Sequence, residues 1–126
     1  VAIDEVSLAI PGGQFVALVG ASGSGKTTLL KTINRLIEPD AGVVRVAGEA
    51  VTAVDAASLR RRIGYVFQGV GLFPHLSVGE NIAVVPSLLG WPKAEIAARV
   101  DELLALVDLP GGISTRRPGA LSGGQQ

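Results

Sequence analysis

The feature that most constrains this chain is a glycine-rich segment that lies between an apolar run and a helix-like stretch. Gly20–Thr27 fits the pattern G-x-x-x-x-G-K-[ST]. Before it, Phe15–Val19 is an unbroken apolar run, which predicts a strand buried on both faces. After it, apolar residues recur at helical spacing until Glu38 and Pro39 end the predicted helix. The sequence therefore predicts a strand, a tight loop and a helix in that order.

This loop has the residue types that phosphate binding requires. Glycines let successive backbone N–H groups point into one concavity, and the positive end of the following helix faces the same place. Lys26 would supply a point charge to the β and γ phosphates, and Thr27 would offer its hydroxyl to Mg²⁺. The motif predicts a nucleotide-binding protein and leaves its reaction open. The predicted phosphate-binding residues are Gly20, Ala21, Ser22, Gly23, Ser24, Gly25, Lys26, Thr27 and Thr28.

Composition excludes several other classes of protein. The chain has 11 basic and 11 acidic residues, so it lacks the basic excess that is typical of nucleic-acid binders. It has no cysteine, which excludes disulfide scaffolds, cysteine-ligated zinc sites and thiol nucleophiles. No apolar run reaches the roughly 18 residues that a membrane span needs. Because it also lacks methionine, we expect Val1 not to be the natural start and the chain to be a piece of a longer protein.

Further periodic segments predict strands and helices along the rest of the chain. Alternating or continuous apolar residues predict strands at Val6–Ile10, Val43–Ala47 and Ile63–Phe67. Helices are predicted as a short turn at Leu59–Arg62, after Ser77, and between Pro92 and Val107. Ser77 with Glu80 three residues later fits a capping box.

Two further motifs follow the phosphate-binding loop. Gln68 comes directly after the apolar segment Ile63–Phe67, and Leu121-Ser122-Gly123-Gly124-Gln125 lies near the end of the chain. Together with the loop, they resemble the nucleotide-binding domain of ABC transporters, in which LSGGQ is the signature sequence and the glutamine belongs to the Q-loop. The resemblance covers the whole chain.

The resemblance implies an α/β fold. It would be a P-loop NTPase (RecA-like) core with an antiparallel β arm and a helical subdomain, incomplete at both ends. Residues 1–126 would form a partial nucleotide-binding domain, with the β arm, P-loop and Q-loop core in residues 1–70 and the helical subdomain in residues 71–126. The adenine-stacking aromatic, the Walker B aspartate, the catalytic glutamate and the switch histidine would lie outside the chain. We therefore expect residues 1–126 alone to hydrolyse little ATP and to fold poorly.

The resemblance also implies an ATPase that works with Mg²⁺ as a head-to-tail dimer. Lys26 and Gln68 would act in catalysis, and Thr27 and Gln68 would hold the metal. The residues Ser122, Gly123, Gly124 and Gln125 would contact the nucleotide that is bound by a second copy of the subunit. The region Gln68–His75 would contact transmembrane permease subunits at the cytoplasmic face of the membrane, where the protein would be peripheral, and no nucleic acid would be bound.

The transported solute is a finer question. Ile33–Pro39 and Val84–Trp91 resemble the ATPases that serve importers of glycine betaine, choline, proline and related osmoprotectants. One alternative is an importer of polar amino acids or another small solute. Two others are an ABC-type ATPase outside transport, as in DNA repair or translation, and a P-loop kinase. The kinase reading leaves Gln68 and the LSGGQ motif unexplained.

Overall fold

The computed structural model describes residues 3–126, which divide into two compact units. The first unit ends at Gly64, and the second is Tyr65–Gln126. The first contains α1 (Lys26–Ile33), β1 (Arg45–Val46), β2 (Glu49–Ala50) and α2 (Ala56–Arg61). The second contains α3 (Val78–Leu88), α4 (Lys93–Leu106) and 3-10 turns at Gly111–Ile113 and Pro118–Ala120.

The strands β1 and β2 form an antiparallel hairpin, with Arg45 opposite Ala50 and Val46 opposite Glu49. The two connecting residues, Ala47 and Gly48, have φ of 50° and 81°. Two consecutive left-handed residues suit the twist of a two-residue hairpin. The strand that Val43–Ala47 predicts is therefore correct in place, but it pairs over two residues only.

The other three predicted strands are wrong for the part of the chain that the structure describes. Val6–Ile10, Phe15–Val19 and Ile63–Phe67 make no paired strand within residues 3–126. Phe15 and Val19 are 95% and 93% exposed. An apolar run indicates that side chains favour burial, but a strand forms only where a second segment supplies hydrogen bonds. The pattern of apolar residues does not predict which segment of the chain that partner is.

Helix α1 ends earlier than its apolar spacing predicts. It stops at Ile33, Asn34 forms the C-cap, and Arg35 adopts a left-handed φ of 53°. The Arg60 guanidinium on α2 donates from Nε to Asn34 O at 3.0 Å and from Nη2 to Arg35 O at 2.6 Å. These donors satisfy two carbonyls just past the helix end, which a continued helix would have used itself. The early stop therefore depends on a contact between residues distant in sequence.

The second unit has an apolar core between α3, α4 and the following turn. Its buried side chains are Val78, Val100, Leu104 and Ile113. Ile82, Ile96, Leu109 and Leu121 pack against them. Five of these residues lie at helical spacing on α3 or α4, in the two helices that the sequence predicts. The core also holds Leu121, the first residue of the LSGGQ motif.

The predicted capping box at the start of α3 is confirmed. Ser77 Oγ accepts from the Glu80 N–H at 3.2 Å, and Glu80 Oε2 accepts from the Ser77 N–H at 2.6 Å. The backbone and side-chain hydrogen bonds with Ser77, aided by the charges of Arg117 and His75, hold the pKa of Glu80 below its ordinary value of 4.5. The ionised carboxylate is therefore the form that stabilises this helix start.

This lowered pKa predicts an acid-sensitive helix start. The stabilisation is complete above the ordinary glutamate pKa and is lost as pH falls through the lower pKa of the folded state. We expect Glu80→Gln to lower the melting temperature near neutral pH and to have a much smaller effect at an acidic pH below the lowered pKa of Glu80, where its carboxyl group is protonated in the folded state as well. Thermal unfolding of the full-length protein, with Glu95→Gln on α4 as control, tests this. An equal deficit at both pH values would contradict it.

Candidate functional site

The glycine-rich loop forms the turn that the motif predicts. Gly23 and Gly25 have φ of 82° and 85°, a region that side chains other than glycine rarely adopt. The Ser24 N–H donates to Ala21 O at 3.3 Å, which closes the turn. Gly25 is the N-cap of α1, so the loop leads directly into the helix that begins at Lys26.

The start of α1 presents free donors toward this loop. The first N–H groups of a helix have no carbonyl partner within the helix, and no side chain within residues 3–126 caps α1. Gly23–Thr28 line a concavity of about 170 Å³ at this point. That volume is below the roughly 300–1,000 Å³ of pockets that enclose a whole small molecule. The concavity therefore suits the phosphate groups of a ligand.

The Lys26 side chain folds back over the loop. Its Nζ donates to Gly20 O at 2.8 Å, Ala21 O at 2.6 Å and Ser24 Oγ at 3.1 Å. The loop is closely packed around this arrangement, since a Cβ on Gly20 would lie 2.9 Å from Ser24 Oγ. The predicted residues Gly20–Thr28 thus come together as one continuous loop and helix start, with a positive charge beside the unpaired N–H groups.

The LSGGQ motif forms a turn at the end of the second unit. The Gln125 and Gln126 N–H groups donate to Ser122 O at 2.9 and 3.2 Å. Gln125 Oε1 accepts from the Ser122 N–H at 3.1 Å. Ser122, Gly123 and Gly124 are exposed. Because the Gln126 bond spans four residues, the turn has the hydrogen-bond spacing of a helix start.

Gln68 and the loop that follows it also belong to the second unit. Gln68 is exposed and lies outside any helix or strand. Phe73 is 48% exposed, and its ring meets the His75 ring edge to face with 6.0 Å between centroids. Exposed aromatic side chains on a loop are typical of protein contacts.

Lys26 and Thr27 belong to the first unit, whose residues alone line the phosphate-sized concavity.

Sequence reasoning missed Asn81, which organises this loop. The Phe73 N–H donates to Asn81 Oδ1 at 2.8 Å, and Asn81 Nδ2 donates to Phe73 O at 3.1 Å. An asparagine in the first turn of a predicted helix was the available signal, because its side chain competes for nearby backbone groups.

The metal-ligand inventory of the described residues is limited. Residues 3–126 contain no group of three or more His, Asp or Glu side chains placed to hold a metal ion. The side-chain oxygens of the residues that line the concavity are hydroxyls, and Thr27 carries one of them in the first turn of α1. A hydroxyl is a ligand that Mg²⁺ accepts beside phosphate oxygens and water.

Among the described helices, none is both long and apolar enough to cross a bilayer.

Comparison with known proteins gives several close relatives. Glycine betaine uptake system ATP-binding protein YehX of Escherichia coli (strain K12) is 50% identical over 125 residues, covering 99% of this chain and 41% of that protein. Choline transport ATP-binding protein OpuBA of Bacillus subtilis (strain 168) is 50% identical over 125 residues, covering 99% and 33%. Fe(3+) ions import ATP-binding protein FbpC of Photorhabdus laumondii is 50% identical over 124 residues, covering 98% and 34%. The chain thus spans between a third and about two-fifths of the length of these relatives.

A solved structure and a family model agree with these relatives. The dimeric ATP-binding cassette MJ0796, in a post-hydrolysis state bound to ADP and Pi, superimposes with a TM-score of 0.80 at 33% identity. The match covers 94% of this chain and 54% of that one, and it confirms the predicted P-loop NTPase fold. The ABC transporter family model matches residues 3–126. The chain belongs to the ABC transporter family.

Proposed function

We propose that this chain is part of the ATP-binding and ATP-hydrolysing subunit of an ABC importer. The observation that carries the proposal is the loop Gly20–Thr28, where unpaired helix N–H groups and the Lys26 amine surround a phosphate-sized concavity. The relatives are ATP-binding proteins of importers, and the solved cassette holds ADP and Pi.

Within this proposal the loop binds the phosphates of ATP. The N–H groups at the start of α1 would donate to phosphate oxygens, and Lys26 would turn from the carbonyls of Gly20 and Ala21 toward the β and γ phosphates. Thr27 and Gln68 would hold Mg²⁺, which neutralises charge that develops on the phosphates. Gln68, which belongs to the second unit, would couple the nucleotide state to the conformation of the loop that follows it.

The exposed LSGGQ turn has a proposed role on a second copy of the subunit. Ser122 and the exposed Gly123 and Gly124 present donors at a helix-like start, which favours an anion. In a head-to-tail dimer these groups would contact the γ-phosphate that the partner's loop holds. Such a dimer closes with ATP and opens after hydrolysis. The two-unit division supports a proposed core around the loop and a proposed helical subdomain that carries the turn.

The proposed solute is a quaternary-amine osmoprotectant such as glycine betaine or choline. Two relatives at 50% identity have these solutes in their names, whereas a third at 50% identity serves Fe(3+) import. This spread fits a subunit that supplies energy and does not contact the solute. Import of another small solute is therefore the second candidate. Uptake of radiolabelled glycine betaine, choline and ferric iron by cells with and without the gene distinguishes them, and a loss confined to ferric iron would contradict the first.

The proposed location is the cytoplasmic face of the membrane, with the exposed loop Gln68–His75 contacting the permease. Phe73 and His75 offer an apolar and a polar ring side by side at that surface.

This contact predicts a coupling defect. We expect Phe73→Asp to reduce solute uptake by at least about tenfold, because a charge replaces an exposed aromatic anchor. Uptake and solute-stimulated ATPase activity of the reconstituted transporter are the measurements, and Leu106→Asp on α4, another exposed apolar residue, is the control. Normal uptake and stimulation in the Phe73 variant would remove the loop from the proposed interface.

A further inference from the structure

We infer that Asn81 is a positioning residue. It holds the segment Phe73–Ser77, and with it the end of the proposed docking loop Gln68–His75, in the shape that the permease contacts. The inference rests on the proposed docking role of that loop. Asn81 uses both polar atoms of its side chain on the loop backbone. It accepts from the Phe73 N–H at 2.8 Å, and it donates to Phe73 O at 3.1 Å, Leu76 O at 3.3 Å and Ser77 O at 2.9 Å.

The two bonds to Phe73 reproduce the exchange that pairs residues in an antiparallel sheet. There, each residue donates its N–H to the residue opposite and accepts a hydrogen bond at its C=O from the N–H of that same residue. The Asn81 amide does both with the Phe73 backbone, so it fixes the position and the orientation of that residue. The loop has one further backbone bond across it, from the Leu76 N–H to Phe73 O at 3.2 Å.

Asn81 can hold the loop because its own helix is firmly anchored. The Val78 N–H donates to Arg116 O and the Gly79 N–H to Ser114 O, both at 2.8 Å. Val78 is buried in the core of the second unit, and the capping box closes the same turn. The start of α3 is therefore held by three kinds of contact: backbone hydrogen bonds, apolar packing and the capping box. Because Asn81 lies on this anchored turn, its hydrogen bonds restrict the motion of the exposed Phe73, and His75 lies beside Phe73.

The chemistry of this position selects asparagine. Aspartate has the same shape and keeps an acceptor for the Phe73 N–H, but it replaces both donor hydrogens and faces the carbonyls of Phe73, Leu76 and Ser77 with negative charge. Alanine removes all four hydrogen bonds. Both substitutions leave the apolar core and the capping box unchanged. The loop would then be ordered only when a partner binds, and that ordering reduces affinity.

The first part of the test measures the loop itself. In the full-length protein, hydrogen exchange of the Phe73 amide is compared between wild type, Asn81→Ala and Asn81→Asp, with Ser87→Ala on the exposed part of α3 as control. We expect protection of the Phe73 amide to fall by about tenfold in both Asn81 variants. Alanine removes the acceptor of that amide. Aspartate keeps an acceptor but repels the nearby carbonyls, so it no longer holds the amide in one position. The core amides of Val100 and Leu104 should stay protected. Unchanged protection at Phe73 in both variants would overturn the inference.

The second part measures function in the assembled transporter. We expect permease binding and uptake to fall about tenfold in Asn81→Ala and Asn81→Asp, while the KM for ATP and the permease-free ATPase rate stay within about twofold of wild type. If Asn81 acts through the loop, adding Asn81→Ala to Phe73→Ala should cause little further loss. Full additivity of the two substitutions would overturn the inference.

The outcomes separate the inference from the function on which it rests. If Phe73→Ala weakens permease binding but the Asn81 variants do not, the docking loop stands and the positioning role of Asn81 is wrong. If neither Phe73→Ala nor the Asn81 variants affects binding, the proposed docking role is wrong, and the inference falls with it.

Discussion

Replacing Lys26 with alanine is expected to abolish tight binding of Mg-ATP and, with it, transport. The Lys26 amine is the one side-chain cation at the phosphate-sized concavity within the described residues. Hydrogen bonds to charged groups contribute about 1.5–3 kcal/mol each, so the loss of two such bonds weakens binding by at least about a hundredfold. The substituted loop keeps Gly23, Gly25 and the turn between Ala21 and Ser24, so the fold should remain intact.

Calorimetric titration of full-length protein with Mg-ATP measures this effect. Lys31→Ala is a matched control, because Lys31 lies on the same helix, in its last turn. That variant should bind as wild type does. The circular dichroism spectra of the two variants should be equal, which would show that the helices are kept. Wild-type affinity in the Lys26 variant would refute the role assigned to the loop.

Replacing Ser122 with arginine is expected to leave nucleotide binding by one subunit unchanged and to prevent the ATP-driven dimer. Ser122 is exposed at the LSGGQ turn, and the concavity at Lys26 is lined by residues of the first unit alone. A long cation at the position that we propose to contact the partner's nucleotide would displace the small hydroxyl and separate the surfaces. Extra atoms in a closely packed contact typically cost about 1–3 kcal/mol, which corresponds to a loss of roughly 5- to 150-fold in dimer formation.

Size-exclusion chromatography of a hydrolysis-deficient full-length protein with ATP distinguishes monomer from dimer. Ser87→Arg adds the same side chain to an exposed position on α3 and serves as the control. It should dimerise as the parent does. An equal dimer fraction with Ser122→Arg would exclude the role in the partner's site.

Local features of the site followed from sequence because short-range chemistry governs them. The glycines at 23 and 25 are required by left-handed backbone, and α1 begins where the motif places a helix. Ser77 and Glu80 form their capping box because both partners lie within one turn. In contrast, apolar spacing does not predict the early end of α1 or the hydrogen bonds between Asn81 and Phe73. Both depend on contacts between residues of different segments.

The sequence by itself determined the family, the phosphate-binding loop and the amphipathic helix α4, since each depends on residue types at fixed short spacing. Tertiary structure decided which apolar runs pair as strands, where α1 stops, and how the loop after Gln68 is held. A strand needs a partner that its own residues do not specify, and a helix end or a loop takes its shape from whichever distant donor reaches its carbonyls. Arg60 and Asn81 are those donors here, and only the folded chain brings each of them to its acceptors.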